Sequence, residues 1–202
     1  MNPNSAVSHM HYGWYLTFVG RIDDALREMR AAQALDPLSF SVYVTSGNIY
    51  YWARDFDLSL QQYRKAMEIE PAANEDMYSA MGDSYLAEGR CAEATEAYAR
   101  SYEAGGNPQA GATLRRAYKA RGCSGMQEEG LEINGDPSSP DFDNYGAACV
   151  EAMLGDKDKA FQLERAFEDR REIVFVKVEP QSDNIRSDPR YADLLRRVGL
   201  AQ

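Results

Sequence analysis

The chain has 202 residues, enough to bury a sizeable core as one large or two small domains, and 44% hydrophobic with 27% charged residues excludes wholesale disorder. A net charge of −10 argues against sequence-independent nucleic-acid binding, which needs a basic surface to displace counterions. No apolar run approaches the length that spans a bilayer, and the first residues lack the basic-then-apolar pattern of a secretory signal. Cys91, Cys123 and Cys149 are far apart and odd in number, matching neither a disulfide framework nor a metal spacing. They read as small buried or half-buried residues in a reducing compartment, and the composition as that of a soluble, acidic, cytoplasmic protein.

Taken in chain order, the elements repeat. "AAQALDP" ends at Pro37 and "KAMEIEP" at Pro71, each after the same amphipathic pattern and 34 residues apart; one more step of 34 back lands on Pro3. Gly13, Gly47 and Gly82 keep the same interval, 34 and then 35 residues. Three residues after each stands a large side chain, Leu16, Tyr50 or Tyr85, and seven after each a turn position, Gly20, Arg54 or Gly89. Small residues follow at Ala25, Ser59 and Ala94, larger ones four later at Met29, Tyr63 and Tyr98, and small ones again at Ala32, Ala66 and Ser101. Physically this is a helix–turn–helix. The central glycine lets the first helix approach the second, the large residues fill the space between units, and each proline cannot continue the helix before it.

Beyond residue 106 the register loosens. "PQAGATLRRAYKARG" keeps the helical period with Leu114, Tyr118 and Gly122, but "CSGMQEEGLEING", with Gly125 and Gly130, predicts a poor helix, and "NGDPSSPD" a loop. A further unit begins at "FDNYGAACVEAMLGDKDKAFQLERAFEDR", where Ala147, Gly155 and Ala160 fit. The interval from Ala160 to Ala166 is one residue short, which requires a rotated or tightened second helix. Val174, Val176 and Val178 alternate like a strand, yet an all-helical stack offers no sheet, so a short helix or packed extended segment is expected. "SDPRYADLLRRVGL" predicts a final helix with Ser187 or Asp188 as N-cap, Pro189 in the first turn and Gly199 at the stop. Its apolar face of Leu194, Leu195 and Val198 suits a cap on the last repeat.

The repeat resembles the tetratricopeptide family, whose pattern runs W-x2-L-G-x2-Y, then A-x3-F, then P. The resemblance implies an all-α, right-handed superhelical solenoid with a C-terminal capping helix. It divides the chain into three well-matched units in 1–106, a degenerate fourth unit and loop in 107–135, a fifth unit in 136–172, and an extension with capping helix in 173–202. Pro3 then reads as the end of an upstream unit. The tail "GDKDKAF…FVKVEPQSDNIRSDPRYADLLRRVGL" is similar to the ends of bacterial tetratricopeptide arrays fused behind winged-helix regulators or serine/threonine kinases. It departs from them at Ser182 and Asn184, which puts the anchoring of 179–186 in question.

In such a stack the first helix of each unit lines the concave face. The resemblance therefore places Met10, Trp14, Thr17 and Phe18 there from the first unit; Val44, Asn48, Tyr51 and Trp52 from the second; Ser79, Asp83 and Leu86 from the third; and Arg116 and Lys119 from the fourth. The aromatic residues suit recognition of a peptide or partner helix. Trp14 and Phe18 serve equally well for packing between units. A clamp of Lys, Asn and Arg on a terminal carboxylate is not supported, because Met10 and Trp14 stand where lysine and asparagine are needed. Arg115, Arg116, Lys119 and Arg121 form a basic cluster suited to an acidic ligand, or simply balancing nearby Glu and Asp.

No catalytic, metal or cofactor constellation is found. His9 and His11, two apart on a helix, point to nearly opposite sides. "RGCSG" lacks the central serine of G-x-S-x-G. "DFDNYG" opens like a calcium loop with Asp141, Asp143 and Gly146, but fails at Tyr145 and Ala152. The sequence thus predicts a non-enzymatic scaffold for protein–protein interaction, needing no cofactor. The alternative is the regulatory arm of a transcriptional regulator or kinase, acting on an upstream domain of its own polypeptide. No membrane or nucleic-acid partner is expected, and an uncovered first helix, around Tyr12 and Tyr15, offers a homodimer contact.

Overall fold

The computed structural model describes residues 4–72, 74–135, 143–162 and 173–200, so Pro3 and the shortened interval after Ala160 lie outside the described residues. The chain divides into two units, residues 1–116 and 117–202. The first contains three consecutive helix pairs: α1 (Ala6–Phe18) with α2 (Ile22–Leu35), α3 (Phe40–Trp52) with α4 (Phe56–Ile69), and α5 (Asn74–Ala87) with α6 (Cys91–Ala104). The opening turns of α7 (Pro108–Asn134) complete it.

Local chemistry sets each boundary. Asp36 and Glu70, which precede Pro37 and Pro71, share one extended conformation (φ −139 and −132°, ψ 84 and 83°). The proline ring forbids its predecessor the α region, so α2 and α4 stop at equivalent places. α6 has no such proline and ends at Gly105 and Gly106 instead.

The turn inside each pair is a left-handed residue: Gly20, Arg54 and Gly89 have φ of +78, +63 and +79°. In every case the next residue's N–H donates back to the large residue three after the central glycine: Arg21 to Leu16, Asp55 to Tyr50 and Arg90 to Tyr85, at 2.8–2.9 Å. Arg54 thus holds a backbone conformation suited to glycine.

In the second unit α7 continues past a break at Gly122 (φ 68°, ψ −151°). Residues 123–134 are helical, contrary to the sequence expectation of a poor helix. Met126 and Gln127 are buried on that arm, and Gly125 lies so close to Ala117 and Arg121 that a Cβ would stand 2.4 Å from Arg121 Cβ. Tertiary packing outweighs propensity here.

α8 (Asn144–Leu154) is capped by Asp143, whose side chain accepts from the Gly146 N–H, so the acidic residues resembling a calcium loop serve in part as a helix start. α9 (Lys157–Ala160) follows. Ile173–Phe175 and Pro180–Ile185 form 3-10 turns, and α10 (Pro189–Arg197) closes the chain. Ala148, Ala152, Ala160, Ile173, Val176, Ile185, Tyr191 and Leu194 make one core, so α10 covers the last helical pair as expected of a cap.

The 179–186 segment is anchored despite Ser182 and Asn184. Ser182 is buried and Asn184 Nδ2 donates to Ala152 O at 3.3 Å. Arg186, not singled out in the sequence, donates to the Lys177 and Glu179 carbonyls at 2.7 and 3.1 Å and to Tyr191 OH at 2.9 Å.

Cys149 is buried in α8, its Sγ 3.9 Å from Ser182 Oγ.

Gly20→Ala or Gly89→Ala strains the left-handed turn and is expected to lower stability by about 1 kcal/mol, as read from urea unfolding midpoints.

Asp188 caps α10, and hydrogen bonds from the Arg190 side chain and backbone hold its carboxyl down at about 2. A depressed carboxyl stabilises above the ordinary unfolded value of about 4, and the effect is lost as pH falls through the folded value. Asp188→Asn should therefore melt below the wild type at neutral pH. The difference should vanish as pH falls from about 4 to 2, as followed by circular dichroism.

Candidate functional site

The rotation of each first helix is fixed by its glycine. A Cβ on Gly47 would lie 2.5 Å from the Tyr63 ring, one on Gly82 2.5 Å from the Tyr98 ring, and one on Gly13 3.0 Å from Met29 Sδ. With that edge against the second helix, the other faces are assigned by helical spacing.

One face turns toward the preceding unit. Ser46 and Ile49 of α3, and Ser84 of α5, are fully buried there. Ser46 Oγ accepts from Gln33 Nε2 at 3.0 Å, and Ser84 Oγ meets Ser59 Oγ at 3.1 Å. On α1 the equivalent face carries Tyr12 and Tyr15, 38% and 56% exposed and stacked at 6.1 Å. This is the uncovered apolar edge expected from the sequence.

The remaining face is accessible on all three first helices, in stripes at i, i+3 and i+7. α1 presents Val7, Met10 and Trp14; α3 presents Ser41, Val44 and Asn48; α5 presents Asp76, Ser79 and Asp83, all half-buried or exposed. Since α1 meets α3 and α3 meets α5 directly, the stripes adjoin and form one wall.

Trp14 stacks on Phe18 at 5.9 Å and meets the edge of Trp52 at 5.4 Å; Tyr51 lies 6.5 Å from Trp52 and 6.0 Å from Phe56. Trp14 and Phe18 keep part of their surface open, but Tyr51 and Trp52 are only 7% and 8% exposed. These two form the floor beneath the wall and leave little side chain for a ligand, because Trp14 of the neighbouring helix lies against Trp52. Thr17 and Leu86, expected on the inward face, are also buried, and Thr17 Oγ1 donates to Gly13 O at 2.9 Å.

Asn48 and Asp83 occupy the wall but also serve the fold. Tyr63 OH donates to Asn48 Oδ1 and Tyr98 OH to Asp83 Oδ1, both at 2.7 Å. The sequence reading missed this lock, although its signal is present: an acceptor and a tyrosine 15 residues apart, twice in register. Trp14 and Met29 stand at the same positions of the first pair. His9 Nδ1 and Glu28 Oε2 pair there instead, at 2.6 Å.

The basic cluster is largely matched to carboxylates. Arg115 pairs with Glu96 at 2.8 Å and Glu103 at 2.5 Å, and Arg121 with Glu128 at 2.5 Å. The hydrogen bond from Arg115 lowers the Glu96 pKa, and that bond in turn raises the pKa of Arg115. Arg116 is exposed, its Nη2 donating to Thr113 Oγ1 at 2.7 Å; Lys119 is exposed on α7 in the second unit. The wall described here is therefore that of α1, α3 and α5. Among the described residues no helix is long and apolar enough to cross a membrane, and no His, Cys, Asp and Glu group has a metal-holding arrangement.

No family model matches the sequence, and no curated protein matches it. Among solved structures the chain is similar to one described as "YrrB: a TPR protein with an unusual peptide-binding site", with 18% identity and a TM-score of 0.50 over 87% of this chain and 92% of that one. With the paired helices, this establishes the all-α tetratricopeptide-type fold.

Proposed function

We propose that the chain is an interaction scaffold that binds a peptide or partner segment along the wall of α1, α3 and α5. The observation that carries this is the accessible stripe shared by three neighbouring helices, led by Met10, Trp14 and Phe18 and backed by the buried Tyr51 and Trp52. Rigid aromatic surface supplies contact area at little entropic cost. The similar YrrB structure is described as having a peptide-binding site, which supports the same class of ligand here. Asn48 and Asp83, each held by a tyrosine, are placed to fix the register of a ligand. Arg116 and Lys119 lie outside the three-helix wall and have no part in this reading.

The scaffold itself performs no chemistry. Nothing in the comparisons favours the alternative of a regulatory arm.

The test uses peptides selected on the full chain from a random dodecamer library. Met10→Ser with Trp14→Ser should lower the unfolding midpoint, because Trp52 loses its cover, yet leave the chain folded by circular dichroism and weaken the selected peptides at least tenfold, about 1.4 kcal/mol. Unchanged affinity in that variant overturns the reading.

A second copy is the partner that best fits the Tyr12–Tyr15 edge, whose equivalents on α3 and α5 are covered by a neighbouring helix. Light scattering is expected to show a concentration-dependent dimer that Tyr12→Glu with Tyr15→Glu abolishes. A wild-type chain that stays monomeric throughout would rule this contact out.

A further inference from the structure

Apart from the wall, the N-terminal unit has a concavity built from polar side chains. It is a groove of about 440 Å³ where Gln33, on the last turn of α2, and Tyr43, on the first turn of α3, meet α4. On α4 the groove is lined by Gln61, Gln62, Arg64, Lys65 and Glu68, and it shares no residue with the wall. Its size is that of a small-molecule site, yet no lining side chain is aliphatic. A ligand is therefore held by hydrogen bonds and charge.

The floor is oriented from inside the protein. Ser46 Oγ, fully buried, donates to Val42 O at 2.8 Å and accepts from Gln33 Nε2 at 3.0 Å. The same Nε2 donates to Gln62 Oε1 at 2.7 Å. Both amide hydrogens of Gln33 are thus used, which leaves its carbonyl as an open acceptor and the Gln62 amide nitrogen as an open donor. On the rim Lys65 pairs with Glu68 at 2.7 Å, whereas Arg64 donates to the Tyr85 hydroxyl at 2.9 Å. Among the described residues Arg64 meets no carboxylate, and the Gln61 side chain has no hydrogen-bond partner. The groove keeps one unmatched positive charge, and its open donors outnumber its open acceptors.

The same positions one helix pair further on are closed. Glu96, Arg100 and Glu103 correspond there to Gln61, Lys65 and Glu68, and Ala99 to Arg64. Arg100 and Arg115 pair with Glu96 at 3.0 and 2.8 Å, and Arg115 also pairs with Glu103. What ion pairs satisfy on α6 is left open on α4.

We infer that this groove binds a sugar acid, a ligand with one carboxylate and several hydroxyl groups. The carboxylate takes the Arg64 guanidinium, whose planar fork matches it. The hydroxyls, each donor and acceptor at once, bridge the Gln33 carbonyl, the Gln62 amide and Gln61, with Tyr43 beside them. A single unmatched cation suits a monoanion, since a second negative charge meets Glu68. An apolar ligand finds no surface to bury against.

The experiment titrates the full chain with galacturonate, glucuronate, acetate, galactose and trigalacturonate, followed by nuclear magnetic resonance shifts of the protein amides. One of the uronates is expected to bind at least about tenfold more tightly than acetate, which lacks the hydroxyls, and than galactose, which lacks the charge. Arg64→Gln should weaken that uronate about tenfold, as loss of a charge-assisted hydrogen bond does, and leave galactose unchanged. Gln61→Ala should weaken it roughly threefold, the size of one neutral hydrogen bond. Both positions are exposed on α4, and circular dichroism checks that the variants stay folded.

A trimer tighter than the monomer supports the site with the end of an acidic polysaccharide as its ligand, and equal affinity supports it with the free acid. No shift with either uronate, no preference over acetate and galactose, or indifference to Arg64→Gln overturns the site. The variant with Met10→Ser and Trp14→Ser keeps uronate binding, so this groove and the peptide wall fail separately.

Discussion

Everything in the N-terminal unit hangs on one close approach, that of a side-chain-free position in each first helix to a large side chain in its partner. At Gly47 and Gly82 the gap is filled by a tyrosine ring, at distances where no Cβ fits. The contact fixes how far apart the two helices lie and how each is rotated. The same tyrosines then reach past the glycine to the next residue, so Tyr63 and Tyr98 hold Asn48 and Asp83 in place. A packing constraint and a polar lock share one side chain. The orientation of the accessible stripe follows from that pair of facts, without any contribution from a ligand.

The first pair solves the same problem differently. Met29 replaces the tyrosine and Trp14 the acceptor, so the lock is lost and the wall becomes apolar at that end. Trp14 then turns its surface to Phe18 and Trp52. The exchange of a hydrogen-bonded pair for a sulfur and an indole is what separates the chemistry of α1 from that of α3 and α5. A flexible thioether tolerates this, because it fills an irregular gap beside the glycine without needing a partner.

Much of this was legible in the sequence, where it was written in positions that repeat. The glycines, the turn positions and the prolines predicted the pairs and their boundaries, because each acts through its own backbone. The wall was legible only in part. The resemblance put Tyr51 and Trp52 on the inward face, but which of several neighbouring positions stays open depends on the bulk of Trp14 on the next helix. The helical arm at 123–134 was missed because Gly125 lowers intrinsic propensity, while the same residue permits the tight packing on Ala117 and Arg121. Arg186 was invisible for another reason: its targets are backbone carbonyls, which leave no trace in residue identity.

The absence of charge on α1 and α3 has a cost in the life of the chain before it is folded. Charged residues interrupt runs that would otherwise associate with their like, and here "AVSHMHYGWYLTF" and "FSVYVTSGNIYYW" carry none of them. Both are rich in β-branched and aromatic residues, the composition of segments that stack between chains. The charged α2 and α4 act as their solubilising shields only while the glycine contacts hold. A chain that loses its first pair exposes a sticky segment instead of fraying harmlessly, so the feature that suits these helices to a partner also makes them the place where aggregation begins.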